Sequence, residues 1–144
     1  MEDKIRFRNI AVPKFLINMN FAVEKYKKYT IVKVKKDKLN DLISSDLKDV
    51  FLDLNDEGIR NIILDLSEVS HCDSSGLSAI LSGSKLCKHA NGSFVITNIR
   101  MNVHRIITIS QLDKVLSMVK TNSEAADLIF MEEVEREFNN ANEE

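Results

Sequence analysis

The chain has 144 residues, of which 44% are hydrophobic and 29% are charged. This length and composition are typical of one soluble globular domain with a modest core. The formal net charge of -2 at pH 7 argues against direct binding of nucleic acid, because proteins that bind it carry a strongly basic surface. The apolar runs are far shorter than the roughly 20 residues that cross a bilayer, so we expect a cytoplasmic protein without membrane insertion.

Residues 1–18 differ from the rest of the chain. They contain the only proline, Pro13, show no clear periodicity, and lack the apolar stretch of a signal peptide. A regular pattern begins at Met19, which makes this methionine a candidate start codon. We therefore predict an N-terminal extension of unknown role over residues 1–18 and a single domain over residues 19–144. Alternatively, the extension is an ordered segment that packs on the domain or on a second copy.

Two strands and a helix are predicted after Met19. The strands cover residues 21–26 and 30–36, and the second alternates apolar residues with lysines, as half-buried strands do. Asn40 or Asp41 can cap the helix that follows, and Gly58 can end it. The apolar face of this helix repeats at helical spacing and comprises Leu42, Ile43, Leu47, Val50, Phe51 and Leu54.

Strands and helices then alternate along the chain. Residues 62–66 form a nearly continuous apolar strand of the kind that is buried on both faces. The next helix has one apolar side, made of Leu77, Ile80, Leu81, Ser84 and Cys87. We expect a strand over residues 93–97, a short helix that includes residues 103–107, and a last strand over residues 115–119.

The final predicted helix is amphipathic, and Ser123 is expected to cap it. Its inward face is predicted to carry the apolar residues Ala126, Ile129, Phe130, Val134 and Phe138. Its other face is acidic and consists of Glu132, Glu133, Glu135 and Glu137. We expect the acidic face to be solvated, and the apolar residues are candidates for the contact of a homodimer.

This order of elements predicts an α/β fold. We expect a single domain with a mostly parallel mixed sheet of about five strands, covered by about four helices. In such sheets, binding sites lie beyond the carboxyl ends of the strands. The loop that follows the strand at residues 62–66 is predicted to lie at that edge.

That loop contains the sequence Asp73-Ser74-Ser75-Gly76, which leads into the next helix. A serine hydroxyl at a helix start is exposed, is held by a rigid scaffold, and lies near the positive end of the helix dipole. Such a position suits the addition and removal of a phosphate. Aspartate and serine are also common helix caps, so capping alone is the simpler interpretation of these residues.

The strand, the loop and the elements around them resemble the STAS domain, named for sulfate transporters and anti-sigma factor antagonists. The resemblance covers residues 21–138 and is sharpest over residues 62–77. Bacterial anti-sigma factor antagonists have a very similar strand followed by Asp-Ser-Ser-Gly or Asp-Ser-Thr-Gly. The resemblance implies that Ser74 is phosphorylated by a partner kinase, which is itself the anti-sigma factor.

The resemblance also implies which residues contact the partner, namely Asn40, Asp73, Ser75, Gly76 and Leu77. Asn40 departs from the family pattern. Many phosphorylated members have Gly-Glu-Leu-Asp where residues 37–40 of this chain are Asp-Lys-Leu-Asn, so Asn40 keeps hydrogen-bonding ability but lacks the charge. Partner docking and phosphorylation of Ser74 are therefore two separate predictions.

Two functions follow from the resemblance. In the first, the protein binds an anti-sigma factor with serine kinase activity, frees a sigma factor, and is switched off by phosphorylation of Ser74; a phosphatase would reverse the switch. In the second, the protein is a STAS interaction subunit of a transporter, lipid-trafficking or sensory complex and is not phosphorylated. Neither function makes the protein an enzyme, and neither requires a cofactor.

Catalytic and metal-binding alternatives fit the residues poorly. A serine hydrolase needs an oriented base, and the loop sequence is not the Gly-x-Ser-x-Gly turn of many hydrolases. His71, Cys72 and Asp73 are adjacent, and neighbours in sequence seldom converge on one metal ion, so we expect no metal site. Cys72 and Cys87 are predicted to be free thiols.

Overall fold

The computed structural model describes residues 19–142. The strands within this range are β1 (Phe21–Lys25), β2 (Thr30–Val34), β3 (Lys38–Leu39), β4 (Ile62–Asp65), β5 (His71–Cys72), β6 (Phe94–Thr97) and β7 (Ser117–Val119). The helices are α1 (Asp41–Asp56), α2 (Ser74–His89), α3 (Met101–Ile109) and α4 (Asn122–Asn142), with a 3-10 helix at Leu112–Lys114. The predicted extension over residues 1–18 lies outside the described residues.

Five strands form the main sheet in the order β1-β2-β4-β6-β7. β1 runs antiparallel to β2, and the other neighbouring strands are parallel. The predicted α/β domain with a mostly parallel mixed sheet is therefore confirmed. β3 and β5 pair in parallel as a separate ladder, which the sequence does not predict because each strand has only two residues.

Helices cover both faces of the sheet, which explains why every residue of β4 and β6 is buried. The larger core lies on one face and includes residues of α1, α2 and α3. Gly83 lets α1 and α2 pack closely there, since a Cβ at Gly83 would lie 2.6 Å from Phe94 and 2.7 Å from Phe51. On the other face, Ala125 and Ile129 of α4 pack against the sheet.

Most of the predicted helix faces are confirmed. The residues predicted to line one side of α2 are buried or half-buried, and so are those of α1 with one exception. Leu42, in the first turn of α1, is 79% exposed. It lies on the same side of the helix as the exposed Ser45 and Asp49, three and seven residues further along. Gly58 follows α1 with φ +85°, as expected of a residue that ends a helix.

The predicted cap of α4 is wrong. The helix begins at Asn122, so Ser123 lies inside its first turn. Thr121 is the residue that caps the helix, because the Glu124 N–H donates a hydrogen bond to Thr121 Oγ1 at 3.1 Å. None of the helices within residues 19–142 is long and apolar enough to cross a membrane.

The predicted inward face of α4 is also largely wrong. Ile129 is fully buried as expected, but Phe130, Val134 and Phe138 are 59%, 50% and 65% exposed. Glu133, which was expected on the solvated face, is only 8% exposed. Its carboxylate accepts hydrogen bonds from Arg60 and Arg136, both at 2.7 Å, and from Asn61 at 2.9 Å. These partners offset the cost of burying the Glu133 carboxylate. Because Glu133 faces the sheet, Phe130, Val134 and Phe138 lie on the side of α4 that faces away from it.

Candidate functional site

The loop between β5 and α2 is held by the short β3–β5 ladder. In this ladder Leu39 pairs with Cys72, and the Asp73 N–H donates a hydrogen bond to the Leu39 carbonyl at 3.3 Å. Gly76 is buried against the same ladder, where a Cβ would lie 2.7 Å from the Leu39 carbonyl oxygen and 2.6 Å from Cys72 Sγ. The absence of a side chain at Gly76 thus permits close packing within the chain itself.

Asp73 caps α2, as the simpler interpretation of the loop predicts. Its Oδ1 accepts a hydrogen bond from the Ser75 hydroxyl at 2.5 Å and another from the Gly76 N–H at 3.0 Å. The hydrogen bond from Ser75, followed by that from Gly76, lowers the pKa of Asp73. An ionised carboxylate therefore stands at the start of α2 at neutral pH.

The two serines of the loop have different surroundings. Ser75 Oγ lies 3.3 Å from Ser44 Oγ of α1 in addition to its bond to Asp73. Ser74 is exposed, and its hydroxyl forms no hydrogen bond with any residue of the described range 19–142. Ser75 thus connects α1 to α2, while the hydroxyl of Ser74 is available to another molecule.

Asn40 lies beside this loop, since it lines the same cavity as Asp73. It occupies the N-cap position of α1, but its side chain forms no capping hydrogen bond. Its Oδ1 is buried without a hydrogen-bond partner among the described residues. Together with Leu39, Cys72, Asp73, Asn102 and Ile106, Asn40 lines a cavity of about 280 Å³.

Exposed apolar side chains flank the loop, and the sequence did not identify them. Met101 begins α3 and is 76% exposed, and the adjacent Asn102 lines the cavity beside Asp73. Leu42 lies two residues after Asn40 and is equally accessible. Leu77, predicted to contact a partner, is half-buried and packs against the core. One sequence signal could have identified them: Leu42 and Met101 each lie in the first turn of a helix that begins next to the loop.

A hydrogen-bond network stiffens the carboxyl edge of the sheet next to the loop. Asp65 accepts hydrogen bonds from the Ser67 N–H at 2.9 Å and from Asn122 Nδ2 at 3.1 Å. Burial raises the pKa of Asp65, but the hydrogen bonds from Ser67, Asn122 and Asn98 together outweigh burial and keep it below its usual value. No local sequence pattern indicates this network, because Asp65 ends β4 and its partner Asn122 begins α4, 57 positions further along the chain.

Within residues 19–142 no side chain is hydrogen-bonded to the Ser74 hydroxyl, so none of the described residues is positioned there as a base. The imidazole of His71 lies 2.9 Å from the Ser70 hydroxyl, and Ser70 also bonds to Asp37. Burial raises the pKa of Cys72 to about 12, so its thiol is neutral. Within residues 19–142 no group of His, Cys, Asp and Glu is arranged to hold a metal ion.

Comparison with known proteins agrees with the fold. The family model of the STAS domain matches residues 20–126 of the chain. The chain therefore belongs to the STAS domain family. A Thermotoga maritima protein described as a candidate anti-sigma factor antagonist is 32% identical over 87 residues, which are 60% of this chain and 73% of that protein. The crystal structure of a protein of that description and organism has a TM-score of 0.71 and 26% identity, over 76% of this chain and 93% of that chain.

Two further solved structures share the fold at lower identity. The phosphorylated form of SpoIIAA, a Bacillus cell fate determinant, gives a TM-score of 0.61 at 18% identity, over 76% of this chain and 98% of that one. SLC26A9 gives a TM-score of 0.62 at 17% identity, over 76% of this chain but only 21% of SLC26A9. The same architecture thus occurs both as a whole protein and as part of a much longer one.

Proposed function

We propose that this protein is a cytoplasmic anti-sigma factor antagonist that is switched by phosphorylation of Ser74. The unmodified loop docks on an anti-sigma factor with serine kinase activity and thereby frees a sigma factor. The contrast between the two loop serines supports this function most directly, because of the two only Ser74 has a hydroxyl that bonds to no residue of the described range. SpoIIAA, a relative in fold, is known in a phosphorylated form.

The surroundings of Ser74 favour the role of a substrate. An unactivated serine is a weak nucleophile, and Asp73 already uses Oδ1 to accept bonds from Ser75 and Gly76. The kinase would supply the base, ATP and magnesium. A bond forms between Ser74 Oγ and the γ-phosphorus of ATP, the bond from that phosphorus to the bridging oxygen of ADP breaks, and the kinase base takes the hydroxyl proton.

A phosphate on Ser74 is expected to alter docking without unfolding the domain. It would carry roughly -1.5 to -2 charges at neutral pH. Apart from the N-cap Asp73, which already accepts the Gly76 N–H, the first turn of the 16-residue helix α2 contains no acidic residue, and its remaining free N–H groups favour an anion. A partner that packs on the exposed Leu42 and Met101 would have to desolvate this charge, which is costly. The partner therefore dissociates, and a phosphatase resets the loop.

Phosphorylation by a candidate anti-sigma kinase tests the proposal. The purified protein is incubated with ATP and the kinase, and the modified residue is mapped by mass spectrometry. We expect one phosphate, on Ser74, and none on the Ser74→Ala variant. Ser75→Ala is the matched control and should still accept phosphate at Ser74. Labelling that survives in Ser74→Ala and is lost in Ser75→Ala would contradict the assignment.

A second candidate is an interaction subunit that docks through the same loop and is never phosphorylated. The match to part of SLC26A9 and the neutral Asn40 favour it. Under this alternative, Ser74→Ala and Ser74→Asp would bind a transporter or scaffold as the wild type does, and no kinase would label Ser74. Partner binding that changes when Ser74 is phosphorylated would favour the first function, and partner binding that does not change would favour the second.

A further inference from the structure

The face of α4 directed away from the sheet is an exposed apolar surface. It consists of Phe130, Met131, Val134 and Phe138, and we call it the outer face of α4. These residues recur at positions i, i+1, i+4 and i+8, so they form one continuous patch along the helix. No residue of the described range covers them, and all four are at least half exposed. Contiguous apolar surface of this kind marks an interaction site.

Acidic residues border the outer face on both sides. On a helix with 3.6 residues per turn, Glu135 lies on one border and Glu137 on the other. Both are exposed. The nearby Arg136 is turned to the sheet side, where it binds Glu133 and Ser93. If the α4 helices of two copies packed face to face, either helix orientation would bring the glutamate borders together, which disfavours a second copy as the occupant.

Residues 1–18 have the complementary composition. Their apolar residues include Ile5, Phe7, Ile10, Phe15, Leu16 and Ile17. They also contain four basic residues, Lys4, Arg6, Arg8 and Lys14, and only two acidic ones, Glu2 and Asp3. Apolar side chains for the patch and positive charges for its glutamate borders therefore occur together in one short segment of the same chain.

The attachment point of this segment allows it to reach α4. Phe21 begins β1 and pairs with Val34, at the carboxyl edge of the parallel strands. α4 begins at that same edge, where Asn122 bonds to Asp65. From Asn122 to Phe138 the helix extends about 25 Å at 1.5 Å per residue. Eighteen residues can span roughly 60 Å when extended, so the segment can follow the whole outer face.

We propose that residues 1–18 dock on the outer face of α4 of their own chain. The apolar residues of the segment cover the phenylalanines, and its basic residues pair with Glu135 and Glu137. This intramolecular contact lies on the opposite side of the sheet from the larger core and is independent of the proposed function of the Ser74 loop.

Paramagnetic NMR on the full-length protein tests this contact. A nitroxide is attached to a cysteine introduced by Asn139→Cys, an exposed residue of α4 that the proposed contact does not use, and amide broadening of residues 1–18 is measured. The native thiols do not compete, because burial raises the pKa of Cys72 and of Cys87 to about 12. A nitroxide at Lys85→Cys, exposed on α2, is the matched control. We expect strong broadening of residues 1–18 from position 139 and little from position 85.

Two further samples show whether residues 1–18 of the same chain or a second copy occupies the outer face of α4. Phe138→Lys should abolish the broadening while the dispersed spectrum of residues 19–142 is retained, since Phe138 is exposed and its loss leaves the fold intact. A mixture of isotope-labelled chains without nitroxide and unlabelled chains with nitroxide should show no broadening. Broadening in that mixture would assign the outer face to a second copy, and unbroadened residues 1–18 in every sample would show that the segment does not dock there; either result overturns the proposal.

Discussion

The Ser75 hydroxyl donates a hydrogen bond to Asp73 Oδ1 at 2.5 Å, and this contact gives two adjacent serines different roles. Ser75 is held between Asp73 and Ser44, so it stabilises the junction of α1 and α2. Ser74 has no such partner within residues 19–142 and can be modified without breaking a contact there.

The first prediction concerns the stability of the two alanine variants. Ser75→Ala removes the hydrogen bonds to Asp73 and Ser44 and is expected to lower the free energy of unfolding by about 1 kcal/mol. Ser74→Ala removes no contact of the described range and should change it by less than about 0.5 kcal/mol. Urea denaturation followed by circular dichroism measures both values. Equal losses in the two variants would refute the division of roles.

The second prediction concerns Gly76. An alanine Cβ would lie 2.7 Å from the Leu39 carbonyl oxygen, so the β3–β5 ladder or α2 must move. We expect Gly76→Ala to cost about 1–3 kcal/mol of stability, as overpacking does. We also expect it to weaken partner docking, because the shifted loop no longer presents Ser74 correctly. Ser78→Ala, exposed on the same helix, is the control and should leave both properties unchanged.

The third prediction concerns the buried carboxylate of α4. Glu133→Gln leaves Arg60 and Arg136 without their anionic partner and should lower the free energy of unfolding by roughly 1–3 kcal/mol. Glu132→Gln alters a glutamate of the same helix that forms no hydrogen bond or ion pair in the described range, and it should change the free energy of unfolding by less than about 0.5 kcal/mol. Thermal or urea denaturation of the two variants and the wild type measures these changes in the free energy of unfolding. A Glu133→Gln variant as stable as wild type would show that these ion pairs do not hold α4.

The fourth prediction is the pH dependence that Glu133 creates. Burial raises the pKa of Glu133, but hydrogen bonds from Asn61 and Arg136 and the charges of Arg60 and Arg136 outweigh it and lower the pKa. A carboxyl whose pKa is lower in the folded state stabilises the protein above its unfolded pKa, about 4.3 for glutamate. This stabilisation is lost as the pH falls through the folded pKa.

Urea titrations between pH 7 and pH 3 test that dependence. The wild type should lose stability on acidification, and the difference between wild type and Glu133→Gln should shrink below about pH 4. A difference that stays constant across this range would contradict the assignment of the shift to Glu133.

The sequence predicts the sheet and the position of the loop well, because both arise from strong local patterns. The apolar run at Ile62–Asp65 and the lysine alternation of Thr30–Val34 are strong local patterns, and both strands occur where expected. The Asp73 cap is likewise a local feature. These signals depend on neighbours in the sequence and therefore need no knowledge of the tertiary structure.

Prediction from the sequence fails where contacts between residues far apart in the chain determine the structure. The orientation of α4 depends on the pairing of Glu133 with Arg60, 73 positions away, so a pattern within the helix could not reveal it. The contact of Ser75 with Ser44, which adds to its local bond to Asp73, joins residues 31 positions apart. The two-residue ladder of β3 and β5 is too short to produce a periodic signal.

The binding of the partner to the two states of Ser74 tests the central claim most directly. The dissociation constant for the cognate anti-sigma kinase is measured by calorimetry with the unmodified protein and with the protein phosphorylated at Ser74. We predict that phosphorylation weakens binding by a factor of ten or more, or at least about 1.4 kcal/mol, while the thermal midpoint of the domain changes little. Equal dissociation constants for the two forms would contradict the account.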